Sequence, residues 1–384
     1  MAEPTLLRTI NTQAVLRTIR EQGPLSRADV ARLTGLSRVT VSATVRTLLQ
    51  QGYVQELAPI LTATGKRAVP LEAARDFTYA IAAVADGEEL WVGCLNLVGE
   101  PVRVLNRPQV RTGAELERVL PDLALEVRRA VPADNVMGLG LALTGIVDAG
   151  RGTVLYSRHL GYDHDALAPR LSERLGGLSV TLENDVNAML LGEQLHHKPG
   201  DRRATIVMLR LGQGVGGAIM LHGRLHHGNA HMAGEVSDLL TLGPSGLALT
   251  LEDALGGPHL LGRLRAADPT IGSLPEVVTE RSRRPSVQSV LEDAQVRLTN
   301  SIMSICLLLA PDAVLLAGPG WAQDLFYEPL KAVLAEHLPV PVTVRFVSDP
   351  VRAALWGAAA VALAAHPLTS PVPSIWGEIG ATRP

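Results

Sequence analysis

Between Ser26 and Gln50 lie two short amphipathic segments, each opened by a serine, with Thr34-Gly35-Leu36 between them. Ser26 followed three residues later by Asp29 is a helix start of the capping type, and it opens a helix that turns Val30, Ala31 and Leu33 inward. Ser37 caps a second helix, Arg38 to Gln50, with Val41, Val45, Leu48 and Leu49 on one face and Val39, Ala43 and Arg46 on the other. An earlier helix is predicted over Thr5 to Glu21, where Leu6, Leu7, Ile10, Ala14, Val15 and Ile19 recur at helical spacing until Gly23-Pro24 stops it. Two short helices joined by a glycine turn, the second with small and polar groups at its start, are the parts of a helix-turn-helix. Ser37, Arg38, Val39, Thr40, Ser42, Ala43 and Arg46 are then the residues placed to meet duplex DNA. Small side chains let the helix lie deep in the major groove, where Arg38 can bond guanine. Next, Tyr53 to Leu57 alternates as a strand, Gly65-Lys66-Arg67 makes a turn, and Ala68 to Leu71 is extended again. This is a wing whose Lys66 and Arg67 can reach phosphate or the minor groove.

The charges divide the same way. Residues 1–70 hold nine basic groups against four acidic ones, a surplus of five, so with a net charge of −3 the remainder carries −8. A basic front on an acidic rear fits a phosphate-binding head at residues 1–75 attached to a body at 76–384 that does not bind DNA. At 47% hydrophobic and 19% charged residues the chain is neither disordered nor fibrous. The longest apolar stretch, Ala353 to Ala365, is too short to span a membrane. The N-terminal segment lacks the apolar core of a signal peptide, so a cytoplasmic location is expected. Cys94 and Cys306 have no partners at ligand spacing and are expected to be buried, inert thiols.

Beyond Asp76 the texture becomes α/β, with short apolar runs separated by glycine turns and helical segments. Strands are predicted at Tyr79–Val84, Leu90–Leu97 and Pro101–Leu105, a helix at Ala114–Ala130, and a buried strand at Val136–Leu143. A strand at Val180–Leu182 runs into Glu183-Asn184-Asp185-Val186-Asn187 and a helix through Leu191. The strand at Ala204–Leu211 feeds Gly212-Gln213-Gly214-Val215-Gly216-Gly217 and a hairpin partner ending at Leu221.

The segments GPLSRADVARLTGLSRVTVSATVRTLLQQGYV, ENDVNA, LGQGVGGAIMLHGRLHHGNAHMAGE, LAPDAVLLAGPG and VRAALWGAAAVAL resemble the ROK family of repressors and sugar kinases over nearly the whole length. The likeness is to its xylose- or N-acetylglucosamine-repressor type. The resemblance implies a winged helix-turn-helix followed by a two-lobed body with the actin-like ATPase fold. A sugar presents pairs of hydroxyls, so its site needs carboxylates and amides that match them. By resemblance Asn184 and Asp185 bind sugar hydroxyls, Asp185 standing at the position of the kinases' catalytic base, and Glu235 is a further ligand. A helix cap is the alternative reading of Asp185.

Three departures bear on function. Where kinases of the family carry glycines, threonine and lysine for ATP phosphates, this chain has Asp86-Gly87-Glu88-Glu89, so phosphoryl transfer and its cofactors are not expected. The family's histidine after the Gly-Glu pair is replaced by Asp238, with His231 the substitute sugar contact. The cysteine-rich zinc loop is absent, and Glu252 stands where the family has a glutamate after its cysteines. The clustered His222, His226, His227 and His231 lack metal-ligand spacing, so no metal is expected. The reading is a non-enzymatic, sugar-responsive transcription repressor, a homodimer or dimer of dimers, with an operator duplex and a monosaccharide effector as partners. An active kinase and a body that dimerises without binding sugar are the rivals.

Overall fold

A computed structural model describes residues 4–61, 67–195, 204–244, 246–280 and 284–365, apart from the side chains of 4–10, 21 and 280. Gly65, Lys66 and the side chains of Leu6, Leu7 and Ile10 therefore lie outside the described residues. The chain divides into two units, one made of 1–199 with 351–384 and the other of 200–350.

The first unit begins with α1 (Pro4–Gln22), α2 (Arg27–Thr34) and α3 (Arg38–Gln50) around a core that includes Val15, Ile19, Val30, Val41, Val45 and Leu48. The Ser26 hydroxyl accepts the Asp29 N–H at 3.2 Å and that of Ser37 accepts the Thr40 N–H at 3.1 Å, so both serines cap as expected. Gly35 ends α2 at φ 71°, a backbone conformation that suits a residue without Cβ. Thr44 joins the buried face of α3, and Leu49 is half-buried. β1 (Val54–Glu56) pairs antiparallel with β4 (Leu71–Ala73), and between them β2 (Ile60–Leu61) pairs with β3 (Arg67–Ala68). These two ladders form the wing.

The unit continues through β5 (Tyr79–Ala85), β6 (Glu89–Asn96), β7 (Pro101–Pro108), α4 (Gly113–Arg128), β8 (Val136–Leu143), β9 (Ile146–Asp148), β10 (Thr153–Ser157), β11 (Tyr162–Asp165), α5 (Leu167–Arg174), β12 (Val180–Asn184) and α6 (Asp185–Leu195). The main sheet has the order β12-β8-β5-β6-β7, with β8 and β12 parallel to β5 and the other two strands a meander. Every residue of central β5 is buried, as its run Tyr79-Ala-Ile-Ala-Ala-Val-Ala85 requires. Edge strand β7 is exposed almost throughout and carries Arg103 and Arg107 between prolines at both ends, a pattern that discourages pairing with another sheet.

The second unit holds β13 (Ile206–Leu211), β14 (Val215–Leu221), β15 (Arg224–Leu225), β16 (Leu240–Leu242), β17 (Ala248–Thr250), α7 (Leu251–Leu255), α8 (Gly257–Ala267), α9 (Leu274–Glu280), α10 (Pro285–Leu309), β18 (Ala313–Ala317), α11 (Gly320–Ala322), α12 (Glu328–His337) and β19 (Thr343–Val347). Its sheet has the order β15-β14-β13-β18-β19, again a three-stranded meander whose first strand is flanked by two parallel strands. The two units thus repeat one strand plan. The hairpin turn after β5 and the hairpin turn after β13 occupy corresponding places in it.

α13 (Pro350–Ala365) returns to the first unit. It packs backbone against backbone: a Cβ on Gly192 of α6 would overlap the Ala353 carbonyl, one on Gly357 that of Ala188, and one on Gly140 of β8 that of Ala358. Both cysteines are buried, and burial pushes the Cys94 thiol up to about 11. No helix among the described residues is long and apolar enough to cross a membrane.

On helix propensity alone Gly192→Ala would gain up to about 1 kcal/mol. The overlap with the Ala353 carbonyl should reverse the sign and cost about 1–3 kcal/mol, a loss measurable by urea unfolding.

Candidate functional site

The face expected to meet DNA is built by α3. Ser37, Arg38, Val39, Ala43 and Arg46 are exposed, Val39 to 80%, while Thr40 and Ser42 are half-buried. Ser37 and Thr40 share a hydroxyl–hydroxyl bond of 2.8 Å beside the cap, so both serve first to fix the helix start. Of the nearby acids, Asp29 accepts from Ser26 and pairs with Arg32, and Glu56 pairs with Arg27 at 2.7 Å. The Ser26 hydroxyl and the Arg32 guanidinium hold the Asp29 carboxyl below its ordinary range. Among the described residues Arg38, Arg46 and the exposed wing residue Arg67 make no ion pair, which leaves three cations for phosphate or base edges.

In the first unit the expected sugar ligands sit where β12 passes into α6. Asn184, rather than Asp185, is the helix cap: its Oδ1 accepts the N–H groups of Val186 (2.9 Å) and Asn187 (3.0 Å), while its Nδ2 donates to the Gly145 carbonyl at 2.9 Å. Asp185 is the first residue of α6 and only 4% exposed. The helix N-terminus favours a carboxylate there. Glu183, which the sequence reading did not single out, is buried and accepts from the Asn184 N–H and from Asn187 Nδ2.

The turn between β5 and β6 is closed by its own side chain. Asp86 Oδ1 accepts the N–H groups of Glu88 (3.1 Å) and Glu89 (3.0 Å), and Glu89 in turn accepts from Trp91 and Asn106. The corresponding turn of the second unit, Gly212 to Gly214, is braced in the same manner from outside: Glu252 accepts the Val215 N–H at 2.7 Å. Each of the two hairpins therefore has a carboxylate of the chain on backbone N–H groups at or beside its turn.

Also in the second unit, Glu235 is half-buried and immediately precedes a one-turn helix, Val236–Asp238, that packs against β14 and α7. Gly234 (φ 96°) permits this, because its backbone touches that of Gly217, so neither position has room for a Cβ. Asp238 is exposed, and half-buried His231 stacks edge-on to His227 at 5.9 Å. No group of three or more His, Cys, Asp or Glu among the described residues is arranged to hold a metal.

A ROK family match covers residues 94–365, and a MarR family match covers 12–59. The chain belongs to the ROK family. A candidate xylose repressor of Caldicellulosiruptor sp. (strain Rt8B.4) is 25% identical over 361 residues, which span 87% of this chain and 89% of that protein. Among solved structures, a ROK family transcriptional regulator, a homolog of the E. coli MLC protein, superposes with a TM-score of 0.76 at 21% identity, covering 95% of this chain and 98% of that one. A ROK glucokinase from Streptomyces griseus, solved with glucose and AMPPNP, gives 0.62 at 19% identity over 73% of this chain and 98% of that one. The fold is thus a MarR-like winged helix-turn-helix followed by an actin-like ROK body, as the sequence led one to expect.

Where the ROK resemblance led one to look for a zinc loop, this member has the β16–β17 hairpin, held by one side chain. Arg297 of α10 is 0% exposed; it donates to Thr241 O (2.7 Å), Thr241 Oγ1 (3.2 Å), Leu247 O (2.9 Å) and Asp293 (2.8 Å). Arg263 also pairs with Asp293, and Gly243 lies so close that a Cβ would collide with both Asp293 and Arg297. The hairpin is consequently inside out: Thr241 is buried while Leu240 (76%) and Leu242 (64%) face outward.

Burial pushes the Asp293 carboxyl up, but the hydrogen bonds from Arg297 and Arg263 outweigh it and hold the group below the usual carboxylate range. A lowered native value means this stability is present at neutral pH and is lost as pH falls through that value, below about pH 4. Arg297→Met should cost about 3–5 kcal/mol, because it leaves a partly buried carboxylate short of a partner. The gap between the thermal melts of the variant and the wild type should narrow from pH 7 to pH 3 as Asp293 is protonated, without closing, because the bonds to Thr241 and Leu247 are lost at every pH.

Proposed function

We propose that this ROK protein is a DNA-binding transcription regulator, a repressor of carbohydrate uptake or catabolism genes whose operator binding responds to a monosaccharide or close derivative. The observation that carries the reading is an exposed recognition face, with Arg38, Arg46 and Arg67 free of ion pairs among the described residues, on the same chain as a ROK body. Residues 1–75 are assigned as the DNA-binding domain and 76–384 as the sensor and dimerisation domain, in a cytoplasmic protein. A homodimer, or a dimer of dimers, places two heads on a roughly palindromic operator. Lys66 and Arg67 are assigned to the duplex with the α3 residues Ser37, Arg38, Val39, Thr40, Ser42, Ala43 and Arg46. Asn184, Asp185, His231, Glu235, Asp238 and Glu252 are assigned to the effector. A sugar acts by differential affinity for two conformations of the body, which is what shifts DNA binding.

The absence of kinase activity is part of this proposal. Phosphoryl transfer depends on backbone amides and cations around the phosphates. In this chain the Asp86 carboxylate sits on two amides of the first hairpin turn and the Glu252 carboxylate on the Val215 amide beside the second. Incubating the purified protein with ATP, magnesium and a panel of sugars should release no ADP, and measurable sugar phosphate would overturn this part. A second reading, a body that dimerises without binding sugar, is favoured by the engagement of both ends of the Asn184 amide within the fold. Thermal shift with the same panel separates the two, since a ligand of the folded state raises the melting temperature.

Arg38→Ala is expected to remove about 1–3 kcal/mol of operator discrimination, whereas Arg67→Ala should weaken all duplexes alike and reduce the salt slope by about 1. Fluorescence anisotropy across a salt series checks both. Asp185→Ala should leave DNA affinity intact and abolish the sugar response.

A further inference from the structure

Within the first unit an unbroken run of contacts leads from the candidate effector end of α6 to the recognition helix. α6 starts at buried Asp185 and lies backbone to backbone on α13 through Gly192 and Gly357. Contacts of this kind leave no side chain to absorb a displacement, so a shift of α6 moves α13. α13 carries Trp356, whose ring is stacked under Arg352 at 4.2 Å. Near that ring lies Gly99, in the turn between β6 and β7, where a Cβ would be 3.6 Å from the indole. The turn is stiff: Asn96 Oδ1 accepts the N–H groups of Val98 and Glu100, and its Nδ2 donates to Glu100 at 3.1 Å.

The other carboxylate oxygen of Glu100 accepts from Arg75 at 2.9 Å, and Arg75 also donates to Glu72 of wing strand β4 at 3.4 Å. Two residues further on, the Phe77 ring covers Gly52, its atoms 2.6–2.8 Å from where a Cβ would stand, and meets Tyr53 edge-on at 6.0 Å. Gly52 and Tyr53 close α3, their N–H groups bonding back to Leu49 and Leu48. Phe77 thus touches the end of the recognition helix at one side and leads directly into central strand β5 at the other. Arg75 and Glu100 are exposed, and an exposed ion pair is a weak tie, so the ring carries the larger share.

We propose that Phe77, assisted by Arg75, is the coupling joint through which α6 and α13 on one side and α3 on the other sense each other's state. The inference rests on the sugar-sensing reading and names its route. Coupling between two sites is reciprocal, so DNA gripped by α3 must be felt at α6 and α13 even when no sugar is present. That reciprocity allows a test without knowledge of the effector. A duplex is first selected from a random-sequence library with the full-length protein, and amide hydrogen exchange is then followed with and without it.

The wild type should show altered exchange in 186–192 and 353–361 when the selected duplex binds. In Phe77→Ala, whose ring is already 38% exposed, duplex affinity and melting temperature should stay near wild type while the change in those segments disappears. Phe77→Leu should restore part of it. Arg75→Ala, which removes one exposed side chain and leaves Glu100 on Asn96, should shrink the change and provides a second reading if Phe77→Ala folds poorly. A wild type that binds duplex with no effect on these segments, or variants that keep the full effect, would overturn the proposal. Failure to select any duplex would instead overturn the DNA-binding reading itself.

Discussion

The close approach of α6, α13 and β8 is the constraint on which the first unit rests. Three glycines, at 140, 192 and 357, allow carbonyl groups of the neighbouring backbones into the space where side chains would be. Packing of this kind is intolerant of added volume, because the atoms it meets are main chain and cannot swing aside. It also fixes the direction of α6. The helix starts at the end of β12, where Asn184 ties its first turn to the Gly145 carbonyl. Asp185 is therefore held at a strand end, at a helix N-terminus and in a buried position at once.

Carboxylates recur at turns where the fold presents backbone donors. Asp86 and Glu252 do similar work at corresponding hairpins of the repeated strand plan, one from within its turn and the other from α7. An internal anion on such donors satisfies them permanently and opposes a second negative charge. Arg297 supplies the complementary case, a buried cation whose partners are two carbonyls, a hydroxyl and one carboxylate. In all three a charged side chain of the chain itself satisfies polar main-chain groups.

Local features were legible in the sequence. The caps Ser26 and Ser37, the left-handed Gly35, the buried strands of the meander and the strand-to-helix passage at residues 180–191 all follow from short-range periodicity and turn chemistry. The alternative reading of Asp185 as a helix cap belongs to its neighbour, since Asn184 fills that place while Asp185 is already helical. What eluded the sequence depends on distant partners. Glu252 meets Val215 from 37 residues away, and Arg297 meets Thr241 from 56 residues away. Asp293 and Arg297 stand four apart on a helix, a spacing shared by ordinary exposed ion pairs, and only the covering hairpin sets them apart. The sheet of β9, β10 and β11 was also missed, its short strands lacking a clear alternation.

The return of α13 to the first unit has a consequence for how the protein is made. The head is complete in sequence by residue 73, so it can fold while the ribosome is still translating the rest. The platform beneath it must wait, because α6 and β8 remain without their covering helix until synthesis has passed residue 365. During that interval a nascent chain would hold a finished helix-turn-helix beside a sheet and a helix that still lack α13.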